Sequence, residues 1–139
     1  MITNIFLDID GVLVVNGNQL ANYAHEFLVY VTSRYPTYWL STHCRGDVMY
    51  TQAFLERTFP PKTLEVANQI IHTNWRTNKT EAINFAQSFL WFDDALFEGE
   101  RRELIKHNAL ENWIGVDFRK DVNYLKKFLA SFPIPMDFV

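Results

Sequence analysis

The feature that most constrains this chain is a short apolar run that stops on acid. Ile5-Phe6-Leu7 leads straight into Asp8-Ile9-Asp10-Gly11. Two carboxylates two positions apart repel one another. Beside buried apolar surface they cost stability unless a cation or a substrate uses them. A strand-ending turn would by itself account for Asp and Gly at such a place. A second acidic pair, Asp93-Asp94, directly follows another apolar run, Phe89-Leu90-Trp91-Phe92. Two strands that each end in a carboxylate pair point to one shared site.

The remaining pattern supplies the frame. Residues 3–7 are apolar on both faces, the mark of a central parallel strand. Asn16-Gly17 within 12–19 signals a two-residue hairpin, a small flap beside the first acids. Leu20, Ala24, Phe27, Leu28 and Val31 recur at helical spacing until Tyr35-Pro36. Tyr38-Trp39-Leu40 reads as a second strand that breaks into Ser41-Thr42-His43. Asp47 suits the N-cap of a helix over about 48–58, ended by Pro60-Pro61. A short helix and then a strand near 69–72 are expected between Lys62 and Trp75. Asn78-Lys79-Thr80-Glu81 has the form of a capping box that opens a helix to about Gln87. Residues 89–92 form a strand, 98–107 a charged helix and 113–116 a last strand. Asp121 caps a terminal helix striped by Val122, Leu125, Phe128, Leu129 and Phe132, and ended by Pro133 and Pro135.

Strands alternating with helices predict an α/β fold with a mostly parallel sheet. At 139 residues the chain reads as one domain, 1–139. Right-handed crossovers gather strand C-terminal ends and helix N-termini on one edge, where such sheets bind ligands. Asp8, Asp10, Ser41, Lys79, Asp93 and Asp94 all fall on that edge.

Four carboxylates there cannot all ionise without a counter-charge. A hard cation with oxygen ligands answers the need, and Mg²⁺ fits because it takes one or two carboxylates and keeps other positions for water or phosphate. A lysine at a helix N-terminus and a hydroxyl after a strand supply donors for phosphate oxygens. Ser41 is favoured over Thr42 as that hydroxyl because it immediately follows the strand, and Asp93 over Asp94 as the direct metal ligand. An aspartate beside bound phosphate can act as nucleophile, with a second acid to protonate the leaving oxygen and activate water.

These residues resemble, in order, the four motifs of the haloacid dehalogenase (HAD) superfamily: Asp8-x-Asp10-Gly11-Val12, Ser41 after Tyr-Trp-Leu, Lys79 at a helix start, and Asp93-Asp94 after an apolar strand. The likeness spans nearly the whole chain. It implies a three-layer Rossmann-like sheet with helices on both faces. It also implies Asp8 as nucleophile, Asp10 as general acid/base, Ser41 (or Thr42) and Lys79 on phosphate, and Asp8, Asp10, Asp93 and Asp94 around Mg²⁺, Asp10 through its backbone carbonyl. True dehalogenases of the superfamily lack the second acid of the first motif, so Asp10 favours phosphate chemistry. Thirty-one positions separate Asp10 from Ser41 and thirty-eight separate Ser41 from Lys79. Neither interval has room for a cap domain, so the chain resembles the capless branch, whose open sites admit large or macromolecular phosphorylated substrates. Trp39-Leu40-Ser41-Thr42-His43 and Lys79-Thr80-Glu81-Ala82-Ile83 also look similar to small HAD domains of bacterial RNA-repair proteins.

Charge does not support a nucleic-acid end as substrate: the net charge is −3, and Lys and Arg form no run. One cysteine, Cys44, makes no internal disulfide, and neither a signal peptide nor a membrane-spanning run is evident. The expected location is the cytoplasm. Scattered histidines give no zinc spacing, so His43-Cys44 reads as loop and core. Arg45-Gly46-Asp47 reads as a coincidental attachment tripeptide in which Arg45 could steer substrate. Trp39 and Trp91 read as core beside the site. Two other functions remain open. One is a phospho-receiver domain, against which stands the order of Lys79 before Asp93. The other is a HAD-fold binding module without useful turnover.

Overall fold

The computed structural model describes residues 3–44 and 48–131. Arg45, the cap expected at Asp47, and Phe132, Pro133 and Pro135 lie outside the described residues. The architecture is α/β. Four parallel strands, β1 (Thr3–Leu7), β4 (Thr37–Trp39), β5 (Ser88–Asp93) and β6 (Trp113–Gly115), form one sheet in the order β4-β1-β5-β6. A separate antiparallel hairpin joins β2 (Val14–Val15) to β3 (Gln19–Leu20). The helices are α1 (Ala24–Arg34), α2 (Val48–Thr58), α3 (Pro61–Ala67), α4 (Glu98–Lys106) and α5 (Tyr124–Ser131). None of them is long and apolar enough to cross a membrane.

β1 lies at the centre, and all five of its residues are buried. Its register pairs Leu7 with Trp39 on one side and with Phe92 on the other. Paired residues in a parallel sheet share a face, and side chains alternate along each strand. One face therefore carries Ile5, Leu7 and Phe92, against which Phe27 of α1 and Phe128 of α5 pack edge to face. The other carries Phe6, Phe89 and Trp91. The 79–87 segment covers it, with Phe85 packed on Phe89 and stacked on His107 after α4. Trp39, Trp91, Phe27 and Phe92 are the largest fully buried side chains. Each contributes on the order of 2–3 kcal/mol of burial, so the core is built from big residues.

Five expectations need correction. The terminal helix α5 starts only at Tyr124, so Asp121 is not its cap, and exposed Val122 lies outside its buried stripe. The hairpin loop holds three residues, since Val15 pairs with Gln19; Asn16 and Gly17 both take positive φ, as that turn chemistry allows. Leu20 belongs to β3, and α1 starts only at Ala24. The strand near 69–72 is a single bridge from Ile71 to β4. Finally, the helix expected from the capping box to Gln87 is one 3-10 turn, Lys79–Ala82. Ile83 is already extended, and Asn84 accepts the Ala86 N–H at 3.0 Å through its own side chain. Such a local side-chain bond competes with the helical ladder and stops it.

Candidate active site

The first strand ends where β5 also ends, and this places the acids. Asp8 continues β1, and its N–H donates to the Phe92 carbonyl at 3.0 Å. Asp8 follows the Phe6 face of its strand and Asp93 the Trp91 face, so both carboxylates leave the sheet on the side covered by the 79–87 segment. Lys79 comes from that segment. Its Nζ lies 2.6 Å from Asp93 Oδ2 and 3.4 Å from Asp8 Oδ1. All three side chains are buried. One carboxylate oxygen from each of Asp8, Asp93 and Asp94 lies within 4.8 Å of the others.

The turn that carries Lys79 is tied down from both sides. Glu81 Oε2 accepts the N–H groups of Thr77 and Asn78 at 3.0 and 2.9 Å, and its Oε1 accepts that of Arg76 at 3.0 Å. These bonds hold the Glu81 carboxyl below its ordinary range. Buried Glu100 of α4 accepts the Lys79 N–H at 2.9 Å and the Phe97 N–H at 3.2 Å. Glu100 thus links the start of α4 to the lysine. Sequence reasoning passed over it as one charge on a charged helix.

Electrostatics make the cluster costly. Burial, reinforced by the Asp93 carboxylate, pushes Asp8 well above the ordinary carboxylate range, with Lys79 opposing. Burial raises Asp93 as well, against the pull of Lys79. Burial works against the charge on Lys79, yet Asp8 and Asp93 together hold it above the usual lysine value. One lysine does not neutralise three carboxylates.

Asp93 and Asp94 differ in what they have left to give. Asp93 Oδ2 accepts from Lys79 and from Trp91 Nε1 at 3.2 Å, and Oδ1 accepts the Ala95 N–H at 3.2 Å. Asp94 is exposed and accepts no hydrogen bond from the described residues. Its carboxylate sits against Gly11, where an added Cβ would collide with it, and Gly11 has φ +82°. Glycine meets both demands at once.

The two hydroxyls also divide. Ser41 is fully buried, and its Oγ accepts the His43 N–H at 3.2 Å. Thr42 is exposed and lines a cavity of about 160 Å³ with Asp8, Asp10, Lys79, Asp93 and Asp94. Asp10 stands at the mouth, its side chain 49% exposed, with Oδ2 at 2.8 Å from His43 Nε2. His43 is held by stacking on Phe54 of α2, centroid distance 4.2 Å, and its carbonyl accepts from Thr51 Oγ1 at 2.7 Å. The sequence reading assigned His43 to loop and core; its partner lies thirty-three positions away, and no local pattern marks that pairing.

An all-oxygen, carboxylate-rich donor set fits a hard divalent cation such as Mg²⁺, with positions left for phosphate. The cavity holds, side by side, a buried carboxylate, a cation and a hydroxyl donor, with a second carboxyl at its edge. Comparison of the chain with protein-family models, with curated proteins and with solved structures returned no match.

Proposed function

We propose that this protein is a Mg²⁺-dependent phosphohydrolase of the HAD type that works through an aspartyl-phosphate on Asp8. The observation that carries this reading is the meeting of Asp8, Asp93, Asp94 and Lys79 in one small cavity, from segments up to 86 positions apart. The motif order supports the family, and the use of 8–34 for a turn, hairpin and α1 is in keeping with a capless form. A buried, free Cys44 suits a reducing compartment, so we assign the protein to the cytoplasm.

Mg²⁺ held by the Asp8 and Asp94 carboxylates would supply the positive charge that offsets the crowding of Asp8 and Asp93 and would stabilise charge on the phosphoryl oxygens. Asp8 is the nucleophile: an Oδ forms the new bond to phosphorus as the ester P–O bond breaks. Asp10 gives its proton to the departing oxygen. Asp10 then takes a proton from water, whose oxygen attacks the phosphorus of phospho-Asp8, releasing inorganic phosphate and restoring the Asp8 carboxylate. Lys79 and the Thr42 hydroxyl hold the phosphoryl oxygens by charge-assisted hydrogen bonds. Of the acidic pair at the end of β5, exposed Asp94 has the freer oxygens for metal, and Asp93 orients Lys79.

Hydrolysis of an aryl phosphate by the purified protein with Mg²⁺ tests this reading. Asp8→Asn is expected to retain the native circular dichroism spectrum and fall to below about one-thousandth of the wild-type rate. Full activity in that variant would remove Asp8 as nucleophile. One observation favours a second reading, a phospho-receiver with Asp93 as acceptor: Lys79 lies closer to Asp93 than to Asp8.

A further inference from the structure

The small cavity opens onto a much larger cleft of about 770 Å³, and Asp10 and Asp94 line both. The cleft runs between the β2–β3 hairpin and the 116–119 loop after β6. We propose that it is the leaving-group pocket, and that it selects phosphomonoesters whose leaving group is apolar and uncharged. This rests on the phosphohydrolase reading. A phosphoryl group beside Asp8 presents its ester oxygen toward the boundary between the two spaces, where the Asp10 carboxyl stands. The rest of the substrate then extends into the larger cleft.

The walls specify the chemistry. Val14, Val15, Phe54, Val116 and Phe118 give the cleft its apolar lining. Val15 and Phe118 are only half-buried, so they offer free apolar surface, from the hairpin and from the loop. Asp10, Asp94 and Asp117 supply the charge. Among the described lining residues the one cation is Arg119, whose Nε and a terminal nitrogen donate to the two oxygens of Asp117 at 3.0 and 3.2 Å. A polyanionic chain needs several uncommitted lysines or arginines along its path, whereas this path is acidic. The volume matches that of small-molecule pockets, which are apolar with a few polar groups.

The test compares kcat/KM for 1-naphthyl phosphate, acetyl phosphate and a short 5′-phosphorylated oligonucleotide, all with Mg²⁺. Wild type is expected to prefer 1-naphthyl phosphate to the oligonucleotide. In Phe118→Ala the ratio of 1-naphthyl to acetyl phosphate should fall about ten-fold or more. Val15→Asp, on the opposite wall and checked for folding by circular dichroism, should lower the same ratio. An unchanged ratio in both folded variants, or a wild-type preference for the oligonucleotide, overturns the leaving-group assignment. Asp8-dependent turnover of acetyl phosphate would in that case leave the phosphohydrolase reading standing. Absence of turnover of all three overturns both.

Discussion

At the scale of single residues, the site is a place where the fold accepts instability. Asp8 has a folded-state pKa well above its ordinary value of 3.8, so the folded protein binds that proton more tightly than the unfolded chain does. The stability contributed by the neutral acid is fully present below pH 3.8 and is lost as pH rises through the folded value. Without metal, charge on the Asp8 carboxylate is a liability, because burial and the Asp93 carboxylate both oppose it. Asp8→Asn in EDTA is therefore expected to be more stable than wild type by about 1 kcal/mol or more, read by denaturant unfolding. An equal or lower stability would contradict the charge crowding described for the cavity. The sequence disclosed the crowding because both pairs follow apolar runs. It did not disclose which members of each pair are accessible. Ser41 follows its strand as expected, yet it is fully buried, and Thr42 is the hydroxyl that lines the cavity. His43 and Glu100 went unread because each acts through a partner more than twenty positions distant.

At the scale of elements, residue patterning and the proline stop placed β1, α2 and α4 close to where they lie. The Lys79 element was misjudged in length. Its capping signature is real on the Glu81 side, but Ile83 and Asn84 turn the chain away after one 3-10 turn. The backbone around Lys79 is consequently held by the Glu81 and Glu100 carboxylates and not by a helical ladder. Glu81 accepts three backbone N–H groups and its folded pKa is depressed below 4.5. Its contribution is present above pH 4.5 and is lost as pH falls through the folded value. Glu81→Gln should melt lower than wild type at neutral pH, and the two melting temperatures should converge as pH drops below 4.5. A gap that stays constant into acid would mean that the carboxylate charge is not what secures this turn.

At the scale of the whole molecule, strand order does the assembling. β1 connects through α1 to β4 on one side, and the chain then crosses to β5 on the other. The acids that end β1 and β5 therefore meet at the point where the sheet reverses its direction of growth, the place open parallel sheets use for ligands. Alternating strands and helices made this arrangement readable in advance. The hairpin was readable as a flap beside the first acids and Val116 as the end of a strand, but not the cleft between them, which depends on the twist and spacing of the finished sheet. The central claim is that one of these gathered carboxylates accepts phosphorus. The most direct measurement is to quench the Mg²⁺-loaded protein in acid during turnover of acetyl phosphate, reduce it with borohydride and map the product by peptide mass spectrometry. Reduction converts an aspartyl-phosphate to homoserine. Homoserine at position 8 is the predicted result; homoserine at position 93, or at neither, would contradict the account.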